Sequence, residues 1–387
     1  MEQENFKMVA KTLFGLEEVL EKELMLLGAR NVKTFNRGVS FEGDKGFMYK
    51  ANLWLRTALR ILKPIKSFTV KNDEQLYKAI FGIRWEEIID VDGSFAIDAT
   101  VNSDFFTHSQ YAALRVKDAI VDRFRKEQGR RPNVDVKHPD VKINIHISNA
   151  ICTVSLDSSG DSLHRRGYKT EVNAAPISEV LAAGMIMLSD WSGNSNFVDP
   201  MCGSGTILVE AAMIAHNIPA NIHRKEFGFE GWKDYDSELF ELITEKALDK
   251  EKNFYHKIIG YDIHYPTVSI ARQNTKNALF DDVIDIKKAN FFDTERPEGP
   301  TLIMFNPPYG ERMEVDIPVL YKNIGDTLKQ HYQDTEAWLI TSDMQGLKHV
   351  GLKTSKKIKL FNGKLETRFV KYELYGGTKK EKKQYRD

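Results

Sequence analysis

The stretch TLIMFNPPYG, residues 301–310, decides how the C-terminal half of the chain folds. Thr301–Phe305 is a short apolar run, typical of a strand buried within a sheet. The run stops at Asn306-Pro307-Pro308-Tyr309, where neither proline can donate to a ladder and Pro307 keeps Asn306 out of the helical conformation. We therefore predict a buried strand that ends in a stiff, extended loop.

This loop offers an amide side chain, proline carbonyls and an aromatic ring. A planar group with an exocyclic amine fits such a loop, since the amine hydrogens can go to the Asn306 oxygen and the Pro307 carbonyl while Tyr309 stacks on the ring. The four letters alone favour an ordinary strand-ending turn, and the segment upstream changes that balance.

The upstream segment is NFVDPMCGSGTILVE, residues 196–210. Phe197-Val198 leads into Asp199, a turn that contains Gly203 and Gly205, and an apolar helix. A strand, a glycine turn and a helix open a nucleotide-binding α/β sheet. The segment is not a P-loop, because no Gly-Lys-Ser/Thr follows, and it does not match GxGxxG.

A third strand signal is IIGYD, residues 258–262, whose terminal Asp262 suits the two hydroxyls of a ribose. In dinucleotide enzymes that acid follows the glycines by about 20 residues, and the distance here is much greater. We therefore predict an insertion over 218–256, with a charged helix near 237–252. It is either a substrate-facing lid or a plain excursion.

In this order, DPMCGSGT, GYD and NPPY resemble the class I S-adenosylmethionine-dependent methyltransferases that act on an amino nitrogen. The resemblance implies a Rossmann-like α/β sheet. It places the adenine after the predicted strand at 283–287, where Asn290 can accept from the adenine amine and Phe291 can pack on the ring. The choice between Asn290 and Asp293 stays open.

Composition describes a globular chain without a metal or disulfide framework. The 387 residues suffice for two or three domains, and 55 basic residues balance 55 acidic ones, so a nucleic-acid partner must be argued from local patches. Two cysteines exclude a disulfide framework or a structural zinc cluster. No run approaches the ~18 apolar residues of a membrane span, and the polar N-terminus is unlike a signal peptide. We expect a cytoplasmic protein.

The N-terminal region reads as two small α+β modules. Residues 5–66 follow a β-α-β-β-α-β order that suggests a ferredoxin-like unit. The second module has a strand at 94–100, a helix that Ser109 can cap and that runs to about Gln128 with Gly129 as its stop, and an alternating strand at 141–147. The strand at 150–156 is its hairpin partner or its parallel neighbour.

A basic surface is predicted in this second module. Residues 115–142 contain nine basic and five acidic residues, a net charge of about +4 that can face phosphates. A solvated helix face with salt bridges explains the charges equally well. The two modules resemble the N-terminal part of THUMP-containing RNA-modifying enzymes, which implies binding to structured RNA.

The segment SLHRRGY, residues 162–168, joins these modules to the sheet. Arg165 and Arg166 can bind phosphate or pair with acids, and both alternatives stay open. The RNA-binding candidates are therefore Arg123, Arg130, Arg131, Lys142, Arg165 and Arg166.

With all these motifs in register, the chain resembles the RlmL-type 23S rRNA guanine-N2 methyltransferases over about residues 1–375. The resemblance implies S-adenosylmethionine as cofactor, no metal, and 23S rRNA or a large-subunit precursor as partner. It implies one methyltransferase unit without a fused second enzyme. The implied cofactor-binding residues are Asp199, Pro200, Cys202, Gly203, Gly205, Thr206, Asp262, Ile263, Asn290 and Phe291. The base would be held by Asn306, Pro307, Pro308 and Tyr309.

The implied reaction is direct methyl transfer to a flipped-out guanine whose amine hydrogens are accepted by the loop. The predicted organisation is a ferredoxin-like module over 1–66, a THUMP domain over 67–160, the methyltransferase over 170–375 and a disordered basic tail over 376–387. Three rivals remain: a DNA adenine-N6 methyltransferase, a tRNA guanine-N2 methyltransferase, and a non-catalytic RNA-binding assembly factor.

Overall fold

The computed structural model describes residues 4–169, 177–308 and 316–376. Its strands are β1 (Phe6–Thr12), β2 (Arg30–Phe35), β3 (Gly38–Gly43), β4 (Ala58–Thr69), β5 (Ser94–Asn102), β6 (Asn133–Val134), β7 (Val141–Ser148), β8 (Ile151–Asp157), β9 (Asn196–Asp199), β10 (Ile258–Asp262), β11 (Ile284–Lys288), β12 (Thr301–Phe305), β13 (Glu336–Thr341), β14 (Thr354–Asn362) and β15 (Leu365–Glu373). Its helices are α1 (Glu17–Leu27), α2 (Lys45–Trp54), α3 (Asp73–Phe81), α4 (Ser109–Gln128), α5 (Glu179–Leu188), α6 (Thr206–Ala215), α7 (Ser237–Leu248), α8 (Tyr265–Asn277), α9 (Ile317–His331) and α10 (Gly346–His349).

The chain forms two compact units, and segments far apart in sequence contribute to each. Unit 1 contains residues 1–12, 20–163 and 224–246. Unit 2 contains residues 13–19, 164–223 and 247–387. The mixed α/β fold with a Rossmann-like sheet is confirmed.

In unit 1 the two predicted N-terminal modules share one eight-stranded sheet, in the order β2-β3-β1-β4-β8-β7-β5-β6. Antiparallel pairing of β4 with β8 joins them, with Leu62 opposite Asp157. The strand at 151–157 is the hairpin partner of β7, which resolves the alternative that the sequence left open. In β7, Val141, Ile143 and Ile145 are buried, as the alternation in VKINIHI predicts.

Residues 224–246 of the insertion pack within unit 1. The ring of Phe229 stacks on that of Tyr49 at a centroid distance of 4.3 Å, and Phe240 meets both rings edge-on. Phe229 is fully buried. Because its aromatic side chains fill a core, this part of the insertion fits the plain excursion better than a substrate-facing lid.

Unit 2 is built on a seven-stranded sheet in the order β11-β10-β9-β12-β13-β15-β14, in which β15 is antiparallel to its neighbours. All five residues of β12 are buried, as predicted. The chain fills the sheet outward from β9 through β10 and β11, then returns to add β12 on the other side of β9. The carboxyl ends of β9 and β12 therefore flank a topological switch point, where open α/β sheets bind ligands.

Candidate active site

The turn after β9 is shaped by its two glycines. Gly203 and Gly205 have φ angles of +54° and +79°, in the left-handed region that side chains rarely adopt. A Cβ on Gly203 would meet no heavy atom within 4 Å among the described residues, so its backbone faces open space. The turn thus exposes main chain at the switch point, where a ligand can approach it closely.

Asp262, at the end of β10, ties the neighbouring strand to this turn. Its Oδ2 accepts the backbone N–H of Gly203 at 3.2 Å, and its Oδ1 accepts that of His264 at 2.9 Å. The Cys202 N–H also donates to the Tyr261 carbonyl at 2.8 Å. The half-buried carboxylate therefore orders the glycine turn while part of it stays open to a ligand.

Asp199 lies at the end of β9 and is 1% exposed. Its Oδ1 accepts the Met201 N–H at 3.2 Å. Burial raises the pKa of this carboxyl well above its usual range, and the nearby charge of Asp262 raises it further. A cationic group placed beside Asp199 would relieve this cost, because an opposite charge favours the ionised carboxylate.

A buried asparagine that the sequence reading missed supports the same turn. The Asn274 Nδ2, on α8, donates to the Ser204 carbonyl at 3.0 Å, and Asn274 is fully buried. The signal was a polar residue at the i, i+3 spacing of an apolar face, after Val268 and Ala271. Because its amide group is fixed by α8, Asn274 holds the glycine turn against the helix that follows β10.

The loop after β12 places Asn306 at the same edge of the sheet. Its side-chain Oδ1 is buried and has no hydrogen-bond partner among the described residues. A buried acceptor without a donor is costly unless a ligand supplies one. Pro307 is buried, Pro308 is half-buried, and Tyr309 lies outside the described residues.

The residues after β11 correct the predicted adenine contacts. Phe291 is 3% exposed and packs among core rings, 5.6 Å from Phe305 and 5.7 Å from Tyr332 between centroids, so it is not available to a ligand ring. Its half-buried neighbour Phe292 is more accessible. The Asn290 Oδ1 accepts the Phe292 N–H at 3.3 Å, so this oxygen also has a local structural role.

The remaining predicted cofactor residues follow the same edge. Ile263 is 54% exposed directly after β10. Pro200 and Thr206 are buried at the two ends of the glycine turn, and Cys202 is 6% exposed. Burial and the charges of Asp199 and Asp262 raise the pKa of the Cys202 thiol well above its usual range, so the thiol is held neutral.

Two of the four predicted RNA-binding side chains in unit 1, those of Arg123 and Arg130, are engaged in ion pairs. Arg123 is close to Glu86 and is 16% exposed, and Arg130 binds both carboxylate oxygens of Asp92, at 2.6 and 3.0 Å. Arg131 is exposed and lines an open, mixed-charge pocket of about 420 Å³ together with side chains of α4. Lys142 is half-buried. The ion pairs fit the salt-bridged helix face that the sequence left as an alternative.

Arg166 is not a surface residue, which contradicts the predicted phosphate contact. It is 0% exposed, its Nε lies 3.5 Å from the Glu210 Oε1, and its Nη1 donates to the Asn221 Oδ1 at 3.0 Å. The Tyr168 hydroxyl donates to the same Glu210 oxygen at 3.2 Å. The alternative of pairing with an acid is correct for Arg166, whereas Arg165 is exposed.

Two further features concern ligands and membranes. Among the residues that the structure describes, no three His, Cys, Asp or Glu side chains are grouped so that they could hold a metal ion. In the same part of the chain, no helix combines the length and the apolar character needed to cross a lipid bilayer.

Three family models match the chain. The model described as "RMKL-like, methyltransferase domain" matches residues 166–371, the THUMP domain model matches residues 70–157, and the RlmL ferredoxin-like domain model matches residues 7–62. Together these matches cover both structural units.

Individual relatives agree with these matches. The chain is 38% identical to "Ribosomal RNA large subunit methyltransferase K/L" of Syntrophotalea carbinolica, over 93% of this chain and 52% of that protein. It is 36% identical to "Putative RNA methyltransferase slr0064" of Synechocystis sp., over 93% of this chain and 95% of that protein. The chain spans about half the length of the K/L relatives that it matches.

One solved structure is similar over nearly the whole fold. The crystal structure of SMU.472, described as "a putative methyltransferase complexed with SAH", has a TM-score of 0.86 and 31% sequence identity, and it covers 98% of this chain and 100% of that chain.

Proposed function

This chain belongs to the RMKL-like methyltransferase family, and we propose that it transfers the methyl group of S-adenosylmethionine to the exocyclic N2 amine of a guanine in large-subunit ribosomal RNA. The observation that carries the proposal is the buried Oδ1 of Asn306 at the carboxyl edge of the sheet, for which the described part of the chain supplies no hydrogen-bond partner. An amine that donates to this oxygen would satisfy it, and guanine presents such an amine once it is flipped out of its helix.

The residues at the switch point fit S-adenosylmethionine. The open space at Gly203 allows the methionine part to approach the main chain, and Asp199 offers a buried carboxylate to its ammonium group. The half-buried Asp262 suits the ribose hydroxyls, and Ile263 and Phe292 offer apolar surface to the adenine. The cofactor, when bound, supplies an electrophilic methyl group on a sulfonium centre.

The chain's own residues then act on the nucleophile. The guanine amine is a poor nucleophile because its lone pair is delocalised into the ring. Asn306 Oδ1 and the Pro307 carbonyl accept its two hydrogens, which favours a more tetrahedral nitrogen with a localised lone pair. The stiffness of the Pro307-Pro308 segment fixes these acceptors, so orientation supplies much of the rate. The proton can leave to water after transfer, and no residue has to act as a strong base.

Unit 1 binds the RNA in this proposal. It contains the THUMP domain at 70–157. Its helix α4 presents the exposed Arg125 and Lys126, and the exposed Arg131 follows the end of that helix. Double-stranded RNA is recognised mainly through shape, phosphates and 2′-hydroxyls, and scattered arginines suit that kind of contact better than base-specific readout.

Nucleoside mass spectrometry tests the proposal. Ribosomal and transfer RNA would be separated from cells with and without the protein, and the same RNAs from the deletion strain would be treated with the purified chain and S-adenosylmethionine. We expect one N2-methylguanosine to disappear from large-subunit RNA in the deletion strain and to be restored in vitro.

Each other outcome has a distinct meaning. Loss of N2-methylguanosine from transfer RNA would keep the chemistry and replace the substrate. Formation of N6-methyladenosine in the treated RNA would overturn the assignment of guanine as the target base. If no nucleoside changes and calorimetry detects no S-adenosylmethionine binding, the chain is an RNA-binding factor without this activity.

A further inference from the structure

The hairpin formed by β14 and β15 projects beyond the carboxyl edge of the unit 2 sheet. Phe305 of β12 pairs with Leu339 of β13, which pairs with Val370 of β15. Val370 in turn pairs with Lys357 of β14, so Phe305 and Lys357 are at the same level of the sheet. Phe361 lies four residues beyond Lys357 along β14, so the hairpin overhangs by about 13 Å. Across the sheet, three strand spacings, about 14 Å, separate β14 from β12, the strand that leads into the Asn306 loop.

The edge strand is strongly basic. Residues 353–364 contain five lysines and no acidic residue. Over 353–373 the count is seven basic residues against two acidic ones, a net charge of +5. Lysines on an edge strand also prevent sheets from pairing edge to edge, so charge alone does not identify a binding surface.

Exposed apolar side chains at the tip distinguish this hairpin from a merely protected edge. The ring of Phe361 meets that of Phe14 edge-on at 5.5 Å, and Phe14 is 38% exposed. The Lys359 ammonium lies 5.4 Å from the Phe361 ring centroid, and Leu365 is 53% exposed. Edge protection calls for charge but gives no reason to expose apolar and aromatic surface at the same place.

Phe14 is held in this position by its neighbours in unit 2. A Cβ on Gly15, whose φ is +87°, would lie 2.9 Å from both the Leu360 side chain and the Lys359 carbonyl. The side chain of Leu16 lies against Gly184 of α5, where a Cβ would come within 2.5 Å of it. The segment that carries Phe14 is therefore packed closely against the hairpin and α5.

Strand alternation arranges the basic and aromatic groups on one face. Lys357, Lys359 and Phe361 are two residues apart, so their side chains leave the same face of β14. Lys359 forms an ion pair with Glu366 at 2.6 Å, whereas no ion-pair partner is found for Lys357 or Lys364 among the described residues. A row of lysines that ends in a half-buried ring, beside the exposed ring of Phe14, matches single-stranded RNA, in which phosphates alternate with bases that can stack.

We propose that this surface, formed by Phe14, Lys357, Lys359, Phe361, Lys364 and Leu365, binds the RNA strand that flanks the methylated guanine. The proposal rests on the proposed function and adds a second RNA contact, on the catalytic unit itself. The lysines contact phosphates, and the Phe14–Phe361 pair receives a base next to the target. Holding the flanking strand would stabilise the RNA with its target base flipped out.

The test compares Lys357→Glu/Lys364→Glu with Lys257→Glu/Lys276→Glu in the full chain. Both control residues are also exposed and belong to unit 2. Lys257 directly precedes β10 and Lys276 lies in the last turn of α8, so both are at the opposite edge of the sheet. Affinity for a fluorescein-labelled, mixed-sequence RNA hairpin with a single-stranded loop would be measured by anisotropy over a range of KCl concentrations. We expect the first pair to lower the affinity at least tenfold and the salt slope by about 1.4, from two single-strand phosphate contacts.

Equal weakening by the control pair, or unchanged affinity with Lys357→Glu/Lys364→Glu, would overturn the proposal. Thermal melting and S-adenosylmethionine calorimetry on each variant verify folding, and Lys364→Ala provides a milder variant that should lower the salt slope by about half as much. Anisotropy does not depend on catalysis. A wild-type chain that binds RNA but methylates nothing would therefore refute the proposed function and leave the binding surface intact.

Discussion

The Gly203 backbone N–H donates to the Asp262 carboxylate at 3.2 Å, although 58 residues lie between the two in sequence. This contact joins the turn after β9 to the end of β10. Together with the Asn274 bond to the Ser204 carbonyl, it fixes the turn from two directions. A site for S-adenosylmethionine in this chain therefore depends on the order of three parallel strands as much as on the glycine motif.

Replacing Asp262 should disorder the turn and remove the proposed ribose contact together. We expect Asp262→Ala to weaken S-adenosylmethionine binding at least tenfold in calorimetry, because both carboxylate oxygens accept main-chain N–H groups. Asp285→Ala is the matched control, since Asp285 is an exposed acid on the adjacent strand β11. Unchanged affinity in Asp262→Ala would show that the ribose lies elsewhere.

Asn306→Ala should remove methyl transfer and leave cofactor binding intact. The substitution deletes the buried acceptor that orients the target amine, so we expect a fall in kcat of at least 100-fold. S-adenosylmethionine affinity, measured by calorimetry, should stay within about twofold. If both properties are lost together, Asn306 holds the cofactor or the fold, and its role as amine acceptor is wrong.

Asp199 should make the stability of the cofactor-free protein depend on pH. Its pKa is raised in the folded state, so folding favours the protonated carboxyl. Its contribution to the free energy of unfolding is fully present below the unfolded pKa of about 4, and it is lost as pH rises toward the folded value. Asp199→Asn removes this loss. We therefore expect the urea midpoint of Asp199→Asn to rise relative to that of wild type as pH increases from about 4. The same substitution should weaken S-adenosylmethionine binding.

One outcome of this experiment would contradict the raised pKa of Asp199. A constant difference in urea midpoint between Asp199→Asn and wild type across this pH range would mean that Asp199 titrates normally, and the electrostatic account of its role would fail.

Arg166 should act on stability alone. Arg166→Ala leaves Glu210 buried without its cation, which typically costs about 3–5 kcal/mol. The neighbouring Arg165→Ala should change the free energy of unfolding by no more than about 0.5 kcal/mol, because Arg165 is exposed. Urea unfolding of both variants provides the measurement. Equal stability of the two would contradict the buried pairing.

Patterns of hydrophobicity and turn residues were sufficient for most elements. The helix predicted to follow a cap at Ser109 and to run to about Gln128 is α4, which includes Ser109 and has His108 at its N-cap. The apolar run 301–305 is the buried strand β12. Local sequence determines such elements because the periodicity of apolar residues and the positions of glycine and proline limit the backbone directly. The order of the three motifs likewise indicated the methyltransferase sheet.

Contacts between distant segments could not be inferred in this way. From the sequence, Arg166 could be a phosphate ligand or an ion-pair partner. The position of α6, which carries Glu210, makes it an ion-pair partner. Phe291 was expected beside the adenine, but the packing of α9 and β12 places it in the core. The division of the insertion between the two units was equally unpredictable.

The sequence by itself thus determined the strands, the glycine turn, the proline-stiffened loop and the family that they resemble. Tertiary structure alone decided which polar groups are buried together, which rings are covered and how far the last hairpin extends beyond the sheet. The physical reason is that a residue's local conformation depends on its neighbours in sequence, whereas its burial and its partners depend on segments tens or hundreds of residues away.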